Sequence, residues 1–283
     1  MIPHISRLLE LWRIAAHYRL DTLVAAEDIP IKARPLLKLI RLHPAAWSSR
    51  QGKNPLKLKE ALEDMGPLAI KLGQLLSTRR DLIAPEILQQ LVLLQDRVKP
   101  FGADVAKMRI QQSLKAEINT LFSRFDEQPL AAASIAQVHT AALHDGREVV
   151  VKVTRPNIRA QILQDFEILT WLGHNLENRL EAARALHLSE IIQNYRQTIL
   201  NELDLTLEAD NTRRMRHYFT GSSMMYVPDV YMDSTDVMVA ERITGVPISD
   251  TETFDRLGMN RADLAEKGLT IFFTQVFRDN FFH

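Results

Sequence analysis

The amino-acid sequence predicts an α+β protein, built from helices and an antiparallel sheet. Three observations indicate this class. Residues up to 118 follow mainly helical spacing, strand-like runs occur at 138–153 and again at 227–243, and helical patterns lie between and after those runs.

The composition is that of a globular protein and excludes several kinds of chemistry. The chain has 283 residues, 35 Lys+Arg against 35 Asp+Glu, 46% hydrophobic residues and no Cys. This length allows roughly two domains, and overall disorder is excluded. Without Cys there are no disulfides, thiolate zinc sites, iron–sulfur clusters or cysteine nucleophiles. Because the sequence contains no run of about 18 apolar residues, no membrane-spanning helix is expected.

The amino-terminal fifth is basic and amphipathic. Residues 1–60 carry 11 Lys+Arg against 5 Asp+Glu. One interpretation is a helix packed on the rest of the protein with a solvated charged edge. The other is a surface that meets anionic lipid or a membrane-bound partner. Nucleic acid is not expected, because the chain is neutral overall and lacks interleaved aromatic residues. The apolar positions are Ile5, Leu8, Leu9, Trp12, Ala15, Ala16 and Leu20, and Arg7, Arg13 and Arg19 lie between them.

Helical spacing then continues over three segments. Apolar residues recur at i, i+3 and i+4 from 55 to 79, where Gly66-Pro67 should kink or split the helix. A further helix should begin at Pro85, because proline suits a first turn. Another is predicted over 103–114.

Residues 138–143 and 148–153 read as a β-hairpin around an Asp145-Gly146 turn, and Arg155-Pro156 ends its second strand. Helices are predicted over 158–180 and 189–219, the second capped by Ser189. Two more strands follow at 227–231 and 236–243, then a connector at 244–247 and a helix over 261–282.

A loop of small residues, 129–137, leads into the first hairpin strand, and Lys152 lies near the end of the second. Backbone N–H groups of such a loop can approach an anion, while a strand lysine supplies a point charge for phosphate oxygens. The alternative is a turn of helix and an ordinary exposed lysine. His139 and His144 lie on opposite faces of one strand with no acid to complete a ligand set, so they predict no metal site.

Glu208, on the long helix after the hairpin, is a candidate ion-pair partner for Lys152. In protein kinases a helix glutamate orients the strand lysine that touches the α and β phosphates. The alternative for this acidic stretch, 201–211, is a solvated helix face.

Five motifs together resemble the UbiB family of atypical kinase-like proteins, which are linked to ubiquinone (coenzyme Q) biosynthesis. They are KLGQ at 71–74, PLAAASIAQVH at 129–139, VVVKV at 149–153, NELDLTLEADN at 201–211 and FFTQVFRDNFFH at 272–283. The resemblance runs from about residue 5 to residue 283. It implies a helical amino-terminal extension (1–118), a kinase-like small lobe (119–245) and the first helices of a large lobe (246–283).

The resemblance also implies a role for each matching residue. ATP would be covered by an alanine-rich loop that replaces the glycine-rich loop of ordinary kinases, with Lys152 as the nucleotide lysine and Glu208 as its partner. Lys71 and Gln74 match the signature of the extension, and Glu202 and Asp204 an acidic pair that faces it. Glu241 and Ile243 match the connector that contacts adenine. The loop residues are Leu130, Ala131, Ala132, Ala133, Ser134, Ile135, Ala136, Gln137 and Val138.

In the family, the stretch matching Phe281-Phe282-His283 leads into a loop that holds the catalytic Asp, followed later by an Asp that binds Mg²⁺. The expectation is therefore a truncated chain without catalytic or metal residues of its own, which exposes core aromatic residues (Phe272, Phe273, Phe277, Phe281 and Phe282). The resemblance further implies a bacterial cytoplasmic location at the inner membrane, with lipid, ubiquinone intermediates or biosynthetic enzymes as partners.

Two functions remain open at this point. One is an ATP-dependent kinase-like regulator or ATPase that supports ubiquinone biosynthesis. The other is a catalytically silent module that binds nucleotide, lipid or a partner in the same pathway.

Overall fold

The computed structural model describes residues 4–22, 38, 40–48, 57–81, 83–94 and 99–281. The chain divides into two compact units. The first comprises Met1–Pro100, Ala132–Ala136 and Arg155–Asn201, and the second comprises Phe101–Ala131, Gln137–Thr154 and Glu202–His283.

The first unit is helical. Its helices are α1 (Ile5–His17), α2 (Pro44–Ser48), α3 (Leu58–Met65), α4 (Pro67–Ser77), α5 (Pro85–Val92), α8 (Ile158–Arg179), α9 (Glu181–Ala185) and α10 (Leu188–Glu202), which ends one residue past the unit's boundary. As predicted, Gly66-Pro67 separates two helices. Gly66 adopts a φ of 103°, which glycine reaches without strain, and Pro67 starts α4.

An ion pair ties the first helix of this unit to a later one. Arg7 Nε and Nη2 on α1 donate to the two carboxylate oxygens of Asp165 on α8, at 2.8 and 3.0 Å. Arg7 Nη2 also donates to the carbonyl of Met65 at the end of α3. Hydrogen bonding to Asp165 raises the pKa of Arg7. The basic start of the chain is therefore at least partly packed on its own unit.

The second unit contains helices α6 (Ala103–Leu114), α7 (Ile118–Leu121), α11 (Leu205–Tyr218), α12 (Thr251–Arg256) and α13 (Arg261–Phe273), and a π-helical turn (Thr274–Arg278). Its strands are β1 (Arg124–Phe125), β2 (Ala131–Ala132), β3 (Ala136–Ala142), β4 (Glu148–Thr154), β5 (Val230–Asp233) and β6 (Val237–Glu241). The boundary between the units falls within β2, between residues 131 and 132, and within β3, between residues 136 and 137.

The sheet has the order β1-β3-β4-β6-β5, with β2 paired to β3. The predicted hairpin is confirmed: Gly146 takes a φ of 86° in its turn, and Leu143 N donates to Arg147 O at 2.9 Å. Strand β4 pairs antiparallel with β6, with Val151 opposite Val239. The predicted α+β class with an antiparallel sheet is therefore confirmed.

Each face of the sheet packs against helices. Fully buried valines of β4 and β6 form one core with Ile110 of α6. The opposite face packs Met238 and Ala240 of β6 against Leu205 and Ala209 of α11. This second face carries the candidate site.

Several sequence predictions were wrong in detail. The predicted helix 189–219 is two helices, because Asp204 caps a new one by accepting a hydrogen bond from Thr206 N at 3.1 Å. Ser189 does not cap α10, which begins one residue earlier. Its N and Oγ instead donate to the carboxylate of Glu177, at 2.8 and 2.5 Å.

The later elements also shift. Strand β5 begins at Val230, because Val227 leaves the strand pattern to pack with Met215 and Phe219. The predicted helix 261–282 ends at Phe273 and continues as the π-helical turn, while Phe282 and His283 lie outside the described residues. Helices α2, α7, α9 and α12 and strands β1 and β2 were not predicted.

The expectation of exposed carboxy-terminal aromatic residues is met in part. Phe272, Phe273 and Phe277 are exposed. Phe281 is half-buried, because it packs against the Met215 cluster and lies 4.4 Å beneath the guanidinium of Arg214.

Candidate functional site

Strand alternation decides where Lys152 points. Val149, Val151 and Val153 of β4 are fully buried in one core, so Val150 and Lys152 face the other side of the sheet. Val150 packs there with Leu205 and Ala209 of α11. Lys152 therefore faces the side on which α11 lies.

Glu208 is placed by the helical repeat. It follows Leu205 by three residues and precedes Ala209, so it lies at the edge of the face that packs on the sheet. Lys152 Nζ donates to both of its carboxylate oxygens, at 2.8 and 2.6 Å. The side chains keep 32% and 35% of their exposure. The predicted ion pair is present, and its cation stays accessible to a ligand.

The alanine-rich loop is held at its base and at its tip. At the base, Leu130 N donates to Val138 O at 2.7 Å, while the Leu130 side chain is 60% exposed. At the tip, Ala133 N donates to Ala136 O at 2.8 Å. Ser134 lies between them, 1% exposed, and its Oγ has no hydrogen-bond partner among the described residues. An orphaned buried hydroxyl costs free energy, so it marks a place where a ligand or water would be stabilised.

The side chain of Gln137 has a different role from the rest of the loop. It is 1% exposed, and its Oε1 accepts a hydrogen bond from Phe101 N at 3.1 Å. Its Nε2 donates to His139 Nε2 at 2.8 Å, and His139 Nδ1 donates to the carbonyl of Asp126 at 2.9 Å. Burial lowers the pKa of His139. This neutral histidine therefore belongs to a buried hydrogen-bond chain, which the sequence pattern did not reveal.

Glu241 ends β6. Its carboxylate accepts hydrogen bonds from Tyr226 Oη at 2.6 Å and from Asp229 N at 3.2 Å. The hydrogen bond from Tyr226 lowers the pKa of Glu241. After Arg242, whose N donates to Glu148 O at 3.1 Å, the chain leaves the sheet, and Ile243 is 51% exposed. These positions form a strand end followed by an exposed connector.

The KLGQ motif lies on α4 in the first unit. Gln74 Nε2 donates to Leu94 O at 3.1 Å, and Lys71 is half-buried. Gly73 is required by packing, because a Cβ there would lie 2.4 Å from Leu94 Cδ1 and 2.9 Å from Leu62 Cδ1. The glycine of the motif therefore permits close approach of neighbouring helices.

The acidic pair occupies the break between α10 and α11. Glu202 is exposed at the end of α10, and Asp204 caps α11. Asp204 Oδ1 also accepts from Thr206 Oγ1 at 2.6 Å. Asp204 thus helps to set the start of the helix that carries Glu208.

Two features of the described part of the chain bear on membrane crossing and on metal binding. No helix in it combines the length and the apolarity that crossing a bilayer requires. Nor do three His, Asp or Glu side chains come together there as a metal-ligand set, so no metal is assigned to these residues.

An antiparallel sheet whose inner-strand lysine is held by a glutamate of the packed helix is the arrangement of the protein kinase small lobe. The second unit therefore defines a kinase-like protein. Residues 93–283 match the ABC1 atypical kinase-like domain, so the chain belongs to that family. The resemblance to UbiB proteins is confirmed by the relatives.

A "Probable protein kinase UbiB" of Pseudomonas entomophila is 46% identical to this chain over 284 residues, covering 99% of the chain and 52% of that protein. Another, of Pseudomonas aeruginosa, is 44% identical and covers 99% of the chain and 53% of that protein. The chain thus spans about half the length of these curated relatives.

A solved structure, described as the complex of Rv3197 with erythromycin from Mycobacterium tuberculosis, is also similar. Its TM-score is 0.50 at 27% sequence identity, over 71% of this chain and 53% of that one. This likeness supports the kinase-like fold.

Proposed function

We propose that this chain is the nucleotide-binding part of an atypical kinase-like protein that supports ubiquinone biosynthesis. The observation that carries the proposal is the contact of Lys152 Nζ with both carboxylate oxygens of Glu208. Such a contact holds an ammonium group in a fixed direction while leaving its third N–H donor for a phosphate oxygen. Membership of the ABC1 family and the similarity to UbiB proteins support the choice of this pathway.

The residues present fit a nucleotide. Lys152 would donate to phosphate oxygens, and Glu208 would orient it. Main-chain N–H groups within 130–138, other than those of Leu130 and Ala133, would bind phosphate, and the buried Ser134 Oγ would gain a partner. The exposed connector after Glu241 would contact adenine through its backbone. A bound Mg²⁺ would offset phosphate charge.

Lys71, Gln74, Glu202 and Asp204 are proposed to regulate the nucleotide site. They do not contribute reacting groups in this proposal. The association of the whole protein with the bacterial inner membrane, and with lipids, ubiquinone intermediates or biosynthetic enzymes, belongs to the same proposal.

The test is calorimetric binding of MgATP and MgADP to the purified chain and to Lys152→Met. The matched control is Lys107→Met, because Lys107 also lies in the second unit and pairs with a carboxylate, that of Glu127. Binding that is lost in Lys152→Met and kept in Lys107→Met supports the proposal. Equal binding by all three proteins, or by none, refutes it.

Turnover distinguishes the two functions that the sequence leaves open. If the chain binds nucleotide through Lys152 and also releases phosphate from ATP, it is an ATPase or kinase-type enzyme. Lysine-dependent binding without phosphate release, by a form as long as the UbiB relatives, identifies a silent nucleotide-binding module.

A further inference from the structure

Arg155, the residue that follows β4, contacts the alanine-rich loop at two carbonyl groups. Its main-chain N donates to Ile135 O at 2.8 Å, and its guanidinium Nε donates to Ala133 O at 2.9 Å. Its Nη2 donates to Lys99 O at 3.0 Å. The side chain is half-buried, and its guanidinium donates to the carbonyl before Ser134 and to the segment before the loop, while the main-chain N donates to the carbonyl after Ser134.

These contacts determine where the loop amides point. In a trans peptide the C=O of one residue and the N–H of the next point in opposite directions, and no cis peptide occurs among the described residues. With the Ala133 and Ile135 carbonyls directed at Arg155, the N–H groups of Ser134 and Ala136 are directed away from it. They are the kind of donor that a phosphate-binding loop uses.

The loop contains no glycine between residues 129 and 139. Residues with a Cβ rarely adopt positive φ angles, so the backbone of this loop has few conformations in which successive N–H groups point in one direction. The contacts from Arg155 supply that orientation from outside the loop.

We propose that Arg155 is a positioning residue that holds the alanine-rich loop in the conformation that nucleotide binding needs. This inference rests on the proposed function. The two side-chain contacts are separable from the main-chain contact, because a substitution removes the guanidinium and leaves the Arg155 N–H on Ile135 O.

The experiment compares the chain with Arg155→Gln, Arg155→Lys and the control Arg159→Gln, which alters an exposed arginine of α8 four residues away. Hydrogen exchange is first measured without nucleotide, resolved to single amides over 130–138. In Arg155→Gln the Ser134 amide should exchange about tenfold faster, the factor that corresponds to losing about 1.4 kcal/mol. The Ala136 amide should change less, because the bond to Ile135 O is kept.

MgADP affinity is then measured on the same proteins. Arg155→Gln should bind about tenfold more weakly, Arg155→Lys should recover part of the affinity, and Arg159→Gln should match the unaltered chain. Unchanged exchange at Ser134 in Arg155→Gln would overturn the proposal. So would faster exchange throughout β4, β6 and α11, since the arginine would then act on stability in general.

The two proposals fail in different ways. If the unaltered chain binds no nucleotide but Arg155→Gln still speeds exchange at Ser134, the nucleotide function is refuted while the hold of Arg155 on the loop remains. If the unaltered chain binds MgADP and Arg155→Gln binds it equally well, only the role of Arg155 is refuted.

Discussion

Lys152 and Glu208 should stabilise the second unit jointly, by about 1 kcal/mol beyond their separate contributions. Exposed ion pairs contribute roughly 0.2–1 kcal/mol, and hydrogen bonds to charged groups about 1.5–3 kcal/mol. The pair makes two such bonds, but each side chain keeps about a third of its exposure, so solvent screening favours a value near the top of the first range.

The perturbation is a double-mutant cycle of Lys152→Met and Glu208→Gln. Methionine keeps an unbranched stem, and glutamine keeps the shape of the carboxylate. If the pair interacts, the double variant loses less stability than the sum of the two single variants. The difference should shrink in concentrated salt, because the ammonium and the carboxylate remain partly solvated.

The assay must report on the second unit. All three tryptophans, Trp12, Trp47 and Trp171, lie in the first unit, so fluorescence would follow the wrong part of the chain. Native-state hydrogen exchange of the β4 and β6 amides gives the opening free energy of the sheet itself. A parallel cycle on the more exposed pair Lys107–Glu127 should show little coupling.

Additivity would refute this reasoning. If the losses from Lys152→Met and Glu208→Gln sum to that of the double variant within about 0.3 kcal/mol, the observed contact does not stabilise the unit. The interaction free energy between Glu208 and Lys152 would then be too small to measure.

Three further outcomes follow from single contacts. Gly73→Ala should lower the free energy of unfolding by about 1–3 kcal/mol, measured by urea denaturation, because its Cβ would overlap a buried leucine. Burial lowers the pKa of His139, so the unfolded chain binds an extra proton below about pH 6.5. The free energy of unfolding should therefore fall as the pH drops below about 6.5. His139→Gln should reduce this fall, as measured by urea midpoints at several pH values on either side of about 6.5. The hydrogen bond to Glu241 raises the pKa of Tyr226. Glu241→Gln should therefore lower the pKa of Tyr226, which an ultraviolet titration of the phenol would show.

The sequence predicted well those elements whose conformation depends on the residues within the element itself. The split at Gly66-Pro67 and the hairpin around Asp145-Gly146 need only local backbone chemistry. The ion pair of Lys152 with Glu208 joins residues 56 apart, and it was predictable because kinases use the same pair.

The parts that were missed depend on tertiary contacts. Asp204 lies inside a continuous helical pattern, and only the structure shows that it caps a new helix. Gln137 reads as a loop residue, yet its amide completes a buried hydrogen-bond chain. The sequence showed Arg155 only as the end of a strand. An arginine directly after the strand that carries the lysine was the available signal.

The end of β4 explains why Glu208 is expected to affect the nucleotide more than the fold. Thr154 is buried, and its Oγ1 accepts from Arg109 Nη2 at 3.0 Å and donates to Asp236 Oδ1 at 2.9 Å. Thr154 N also donates to Asp236 O at 3.0 Å. The backbone at Lys152 is therefore fixed by this cluster and by the valine core, whether or not Glu208 is charged. Beyond its modest contribution to stability, Glu208 determines the direction of the ammonium group, so Glu208→Gln should leave the sheet folded and weaken the binding of phosphate.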